Sequence, residues 1–124
     1  MGLDFIHLLL TARGYNMNME IPKKIKVWNV NNKELYYLLK GRKGGKTTID
    51  IIDMILEKPC SRTQLSKELN VDYKTVTYHL KIVCKYNYIS KEKFERTYFY
   101  APSEKLLKDI NEYYHIRKLV ENGE

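Results

Sequence analysis

The sequence predicts a mainly α-helical domain closed by one small β-hairpin, an α+β class with extra helices at its N- and C-terminal ends. Three observations predict it. Residues 61–89 contain two consecutive helix starts, at Ser61 and Asp72, each followed by apolar residues at helical spacing. Residues 88–101 then switch to a period of two, the pattern of paired strands. A third helical pattern follows Pro102.

Taken in order, residues 3–12 read as a short apolar helix. Residues 13–30 read as irregular chain, with 24–28 alternating like a short strand. Residues 32–40 read as a helix with Leu35, Leu38 and Leu39 on one face, and Gly41 to Gly45 breaks the chain. That break is the expected domain edge, dividing an N-terminal part and basic arm (1–45) from a central domain (46–102) and a C-terminal helix (103–124). A helix is expected from Thr48 to Glu57, with Ile49, Ile52, Ile55 and Leu56 facing inward and Pro59 stopping it. Asp50 and Asp53 are read as early, dipole-favoured acids of that helix. Ser61 with Gln64 three residues on is a capping-box pattern, and Leu65 and Leu69 share a face. Asn70 suits a left-handed turn, Asp72 caps the next helix, and Val71 and Val76 are placed for a hydrophobic staple. Val76, Leu80, Val83 and Cys84 then form one buried stripe. Tyr88 to Glu92 and Thr97 to Ala101 are the expected strands, with 93–95 between them. The last helix, from Pro102-Ser103 to about Val120, carries Leu106, Leu107, Ile110, Tyr113, Tyr114, Ile116, Leu119 and Val120, too broad an apolar arc for a simple surface helix.

Charge narrows the function classes. The 124 residues carry a formal net charge of +7. Residues 22–46 hold eight Lys or Arg against the single acid Glu34, which is the footprint of an anionic partner such as nucleic acid. Two cysteines, Cys60 and Cys84, make no disulfide framework, and no stretch approaches transmembrane length. A cytoplasmic chain with no membrane association is expected. Gly45-Lys46-Thr47 imitates the end of a phosphate-binding loop, but the first glycine of that motif would fall on Lys40. No nucleophile–base or paired-carboxylate pattern stands out, so the chain is not read as an enzyme. His7, His79 and His115 lack metal-ligand spacing, and no cofactor or metal is expected.

The order helix, helix, turn, helix, hairpin is the winged helix-turn-helix plan. Residues 48–101 resemble the ArsR-like winged helix-turn-helix regulators of archaea and bacteria, most closely along Gln64 to Lys81. The resemblance implies transcriptional regulation, with the second helix of the pair in a DNA major groove and Tyr88 to Ala101 as the wing. Metal sensing in that family uses paired cysteines on the first helix of the pair, and residues 62–69 contain none.

The residues agree with this reading. With Val76, Leu80 and Val83 facing in, the opposite side of the helix 73–87 presents polar and basic side chains. Residues near the start of such a helix reach base edges, which selects Tyr73, Lys74, Thr75, Thr77 and Tyr78. Phosphate contact is expected of Arg62, Thr63, Lys81, Lys85, Lys91, Lys93, Arg96, Lys43 and Lys46. One such helix covers a short site, so a homodimer is expected, joined through Leu106, Ile110, Tyr113, Tyr114 and Leu119. The partners expected are therefore double-stranded DNA and a second copy of the chain. The competing expectation is a winged-helix protein-interaction module without specific DNA readout.

Overall fold

The computed structural model describes residues 32–123. The helix expected at 3–12 and the strand expected at 24–28 lie outside the described residues. Helix α1 (Lys33–Tyr36) runs directly into a π-helical turn, Tyr37–Gly41. Asn32 starts it: its Oδ1 accepts from the Leu35 N–H at 2.9 Å, while its Nδ2 donates to Tyr88 Oη and to Asp109 Oδ2, both at 2.8 Å. Leu35, Leu38 and Leu39 are buried. They belong to the same core cluster as the residues that follow Gly45, so the turn at 42–44 lies inside one packed body.

Helix α2 (Gly45–Glu57) begins three residues earlier than its apolar pattern indicates. The sequence signal fails there because glycine is a poor helix former. Packing decides the matter instead: a Cβ on Gly45 would lie 2.0 Å from the Leu39 carbonyl oxygen, so only glycine lets the two segments touch. Gly44 supplies the turn with a left-handed φ of 88°. The early start also places Asp50 and Asp53 in the middle of the helix, away from its dipole. Asp53 instead accepts from Tyr113 Oη at 2.6 Å and from Arg117 Nε at 2.9 Å.

The next two helices follow their caps. Helix α3 (Arg62–Leu69) has the full Ser61–Gln64 capping box and ends at Asn70 in the left-handed region. Helix α4 (Tyr73–Lys85) starts at Asp72, whose Oδ2 accepts from the Lys74 and Thr75 N–H groups. Val76, Leu80 and Val83 are buried, and Cys84 is half-buried at the edge of that stripe.

Strands β1 (Ile89–Phe94) and β2 (Thr97–Pro102) pair antiparallel from Ile89 with Pro102 out to Phe94 with Thr97. Only Glu95 and Arg96 remain at the tip, so Lys93 and Phe94 are strand residues and not loop. Glu95 takes the positive φ of 57° that a tight hairpin turn needs, a task usually given to Gly or Asn. Tyr100 exchanges backbone hydrogen bonds with Cys60 at 2.8 and 3.0 Å, fastening the hairpin root to the chain before α3.

The expected single C-terminal helix is two. Helix α5 (Glu104–Lys108) and helix α6 (Ile110–Glu121) meet at Asp109, whose backbone leaves the helical region (φ −99°, ψ 19°) and whose carboxylate is held by Asn32. The break explains the broad apolar arc. It divides the pattern between two helices, on which Leu106, Leu107, Ile110, Tyr113, Ile116 and Leu119 are all buried in the core.

Candidate nucleic-acid interface

Helix α4 is amphipathic because its buried stripe recurs every three or four residues, which turns the remaining positions to solvent. Tyr73, Lys74, Thr75 and Tyr78 are exposed, with Tyr73 and Tyr78 at 45% and 58%. Thr77 is half-buried, and its hydroxyl donates to the Tyr73 carbonyl at 2.9 Å, which fixes the rotamer and leaves the oxygen able to accept. Lys81 and Lys85 are exposed further along the helix.

Three elements converge beside this face. A cleft of about 320 Å³ is lined by Arg62 at the start of α3, by Thr77, Leu80, Lys81 and Cys84 of α4, and by Lys91 and Tyr100 of the hairpin. Its lining carries three cations and no carboxylate, so its field favours an anion. Arg62 also stands 5.4 Å from the centre of the Tyr73 ring. Lys91 and Lys93 lie 4.3 and 5.7 Å from the Tyr98 ring centre, which aligns two hairpin cations along one face. Burial raises the Tyr100 hydroxyl, against the opposing pull of Arg62, so the cleft floor stays neutral. Burial also raises the Cys84 thiol more than Lys91 lowers it, and the Cys60 thiol is raised by burial as well. Both cysteines are held as protonated thiols, the unreactive form.

The structure brings together most of the residues selected from sequence. Thr63 is exposed at the start of α3, Lys93 and Arg96 are exposed on the hairpin, and Lys43 is exposed on the turn that abuts α4. Lys46 is elsewhere. It lines a separate cleft of about 220 Å³ with Asp50, Asp53, Arg117 and Glu121, where carboxylates offset its charge. Burial, then the neighbouring Asp53, raise the carboxyl of Asp50 in that cleft.

The five residues expected at a dimer contact need correction. Leu106, Ile110 and Tyr113 are 0% exposed and Leu119 is 4%, because the chain's own core covers them. Tyr114 alone among the five keeps exposed surface.

Sequence reasoning missed Arg42. Its Nη2 donates to Thr48 Oγ1 at 2.6 Å and to His79 Nδ1 at 3.2 Å, and Thr48 Oγ1 lies 3.0 Å from the same ring nitrogen. The guanidinium thus fastens the basic turn to α4, directly behind Tyr78. Since Arg42 can only donate, Nδ1 accepts and the ring hydrogen sits on Nε2. Burial, then Arg42, hold the imidazole below its ordinary titration range. No local pattern marks this contact, because its partners are 37 residues apart.

Among the described residues no group of three or more His, Cys, Asp or Glu side chains converges. No helix there is long and apolar enough to cross a membrane.

Comparison with known proteins places this geometry. Residues 45–91 match the bacterial regulatory proteins of the arsR family. Over 65 residues, 52% of this chain, the sequence is 37% identical to an uncharacterised HTH-type transcriptional regulator of Methanocaldococcus jannaschii. The match spans 17% of that protein's length. Among solved structures, a MarR transcriptional regulator from Methanosarcina mazei aligns with a TM-score of 0.56 and 18% identity, over 89% of this chain and 77% of its own. Lactococcus lactis ZitR in complex with DNA aligns with a TM-score of 0.52 and 14% identity, over 93% of this chain and 71% of its own. At such identities the structural likeness concerns the fold.

Proposed function

We propose that this chain, whose residues 45–91 form an ArsR-like helix-turn-helix domain, is a sequence-specific double-stranded DNA-binding transcription regulator that acts as a cytoplasmic homodimer and not as an enzyme. The observation that carries the reading is the continuous surface made by the exposed side of α4 and the three-cation cleft beside it. An α-helix of that width fits a major groove, and the cleft suits the phosphate backbone at the groove's edge. Tyr73, Lys74, Thr75, Thr77 and Tyr78 are assigned to base edges. Arg62, Thr63, Lys81, Lys85, Lys91, Lys93, Arg96 and Lys43 are assigned to phosphate. Lys46, among carboxylates, is not retained in that set. The dimer is assigned to the exposed side of α6 around Tyr114, with two α4 helices set about 34 Å apart, one DNA turn.

Selection of bound duplexes from a random pool tests this reading. An enriched palindrome is expected, with Thr77→Ala and Tyr78→Ala each losing about tenfold or more in discrimination at one base position. Unchanged preference in both variants would sink the assignment of α4. Absence of duplex binding even at low salt would favour the protein-interaction module instead.

A further inference from the structure

We propose that Arg42 is a positioning residue for DNA readout: acting through His79, it holds the Tyr78 ring in one pose on the exposed side of α4. This deepens the DNA-binding reading above and rests on it. Arg42 belongs to the basic turn before α2, but its charge is turned inward. Nη1 donates to the Lys43 carbonyl at 3.1 Å, and Nη2 is shared between Thr48 Oγ1 and His79 Nδ1. Nε is buried with no partner. An unpaired buried N–H is unfavourable, so the contacts of Nη2 are what keep the guanidinium there. Lys43, beside it, is exposed. Arg42 is thus committed to α4 and not to solvent, where a phosphate contact would need it.

The imidazole that Arg42 holds is fixed from several sides. Arg42 and Thr48 meet Nδ1 at 3.2 and 3.0 Å. The Thr48 hydroxyl has a second acceptor, the Gly44 carbonyl at 3.4 Å, so its hydrogen can leave the ring. The guanidinium can only donate, so it is the group that keeps Nδ1 an acceptor. The turn backbone closes on the adjoining carbon: a Cβ on Gly44 would lie 3.0 Å from His79 Cε1. With the residue 5% exposed, the ring has no room for a second rotamer.

Tyr78 meets this fixed ring edge-to-face, with ring centres 5.4 Å apart and planes at 75°. That is a favoured geometry for two aromatic rings. Tyr78 is 58% exposed, and an exposed side chain ordinarily exchanges between rotamers. Contact with an immobile neighbour selects among them. The hydroxyl is then offered from one direction before DNA arrives, and a contact group ordered in advance spares the entropy cost of ordering it on binding. The basic turn therefore tunes the readout by α4 without touching a base.

The test measures binding of the full chain to the selected duplex and to duplexes changed at each base pair in turn, for wild type, Arg42→Ala, Tyr78→Ala and the double variant. Arg42→Ala is expected to lose about tenfold in discrimination at the base position that Tyr78→Ala affects, and to keep it at the others. The double variant should match Tyr78→Ala to within about twofold, because both changes remove one contact. The slope of log affinity against log salt should stay at the wild-type value, whereas loss of a phosphate contact would reduce it by about 1. Additive losses in the double variant would overturn the proposal, as would an even loss at every base pair or a reduced slope. The free wild-type chain gives a readout that needs no variant to fold. Three-bond couplings across the Tyr78 Cα–Cβ bond should report one rotamer, and averaged couplings would overturn the role. A wild-type chain that binds no duplex even at low salt removes the DNA reading and this role of Arg42 together; binding with additive losses removes the role alone.

Discussion

His79 is the residue whose chemistry most clearly depends on its surroundings. Its neighbours Tyr78 and Leu80 are a surface and a core residue, and its own place on α4 is buried at 5% exposure. The ring accepts from Arg42 and is held neutral by burial and by that cation. The folded-state pKa therefore lies below the unfolded value near 6.5, and protons bind the unfolded chain more readily. Stability is full above about pH 6.5 and is lost as pH falls from there through the folded value. Urea midpoints at pH 7.5 and 5.5 check this: wild type should lose stability on acidification, and His79→Gln should lose less over that interval. Equal loss in both would place the acid sensitivity elsewhere. The sequence marks His79 only as a packed or partly exposed histidine, because Thr48 and Arg42 are remote along the chain.

Among the elements, those defined by local signals were the legible ones. Ser61, Asn70 and Asp72 each act on backbone groups within four residues, so α3 and α4 fall where their caps place them. Asp72 accepts two N–H groups at the start of α4. Asp72→Ala is expected to cost about 1 kcal/mol and lower the melting temperature by about 5 °C. Calorimetry checks this, and an unchanged melting temperature would mean that packing alone sets the start of α4. Elements defined by contact were less legible. The start of α2 depends on a glycine pressed against Leu39, and the division of α5 from α6 depends on Asp109 meeting Asn32. The hairpin extends past its expected strands because Glu95 accepts a backbone conformation that its type rarely adopts.

At the scale of the whole molecule, the question is how charge and surface are distributed. Seven cations are assigned to phosphate: Arg62 on α3, Lys81 and Lys85 on α4, Lys91, Lys93 and Arg96 on the hairpin, and Lys43 on the turn before α2. If each neutralises a phosphate, log affinity against log salt has a slope of about −6 for one protomer and about −13 for two. Titrations at several salt concentrations, beside sedimentation of the free chain and the complex, check both the contact set and the dimer. Lys91→Gln with Lys93→Gln should reduce the slope by about 2 per protomer. A slope unmoved by that pair would remove the hairpin from the interface. The proposed dimer contact must use surface that the core leaves uncovered, which on α6 means the side bearing Tyr114.

The sequence by itself determined the class of this fold, the helix pair and its caps, the buried stripe of α4 and therefore its outward face. All of these follow from periodicity and from hydrogen bonds that span a few residues. The tertiary structure alone decided that residues 33–41 join the same core, that Leu106, Ile110, Tyr113 and Leu119 are internal, and that Lys46 sits among carboxylates. It also decided that Arg42 reaches His79. The reason is the same in each case. An apolar or charged side chain shows its type in the sequence, but its partner is chosen by distant segments competing to fill one core, and that choice has no local signature.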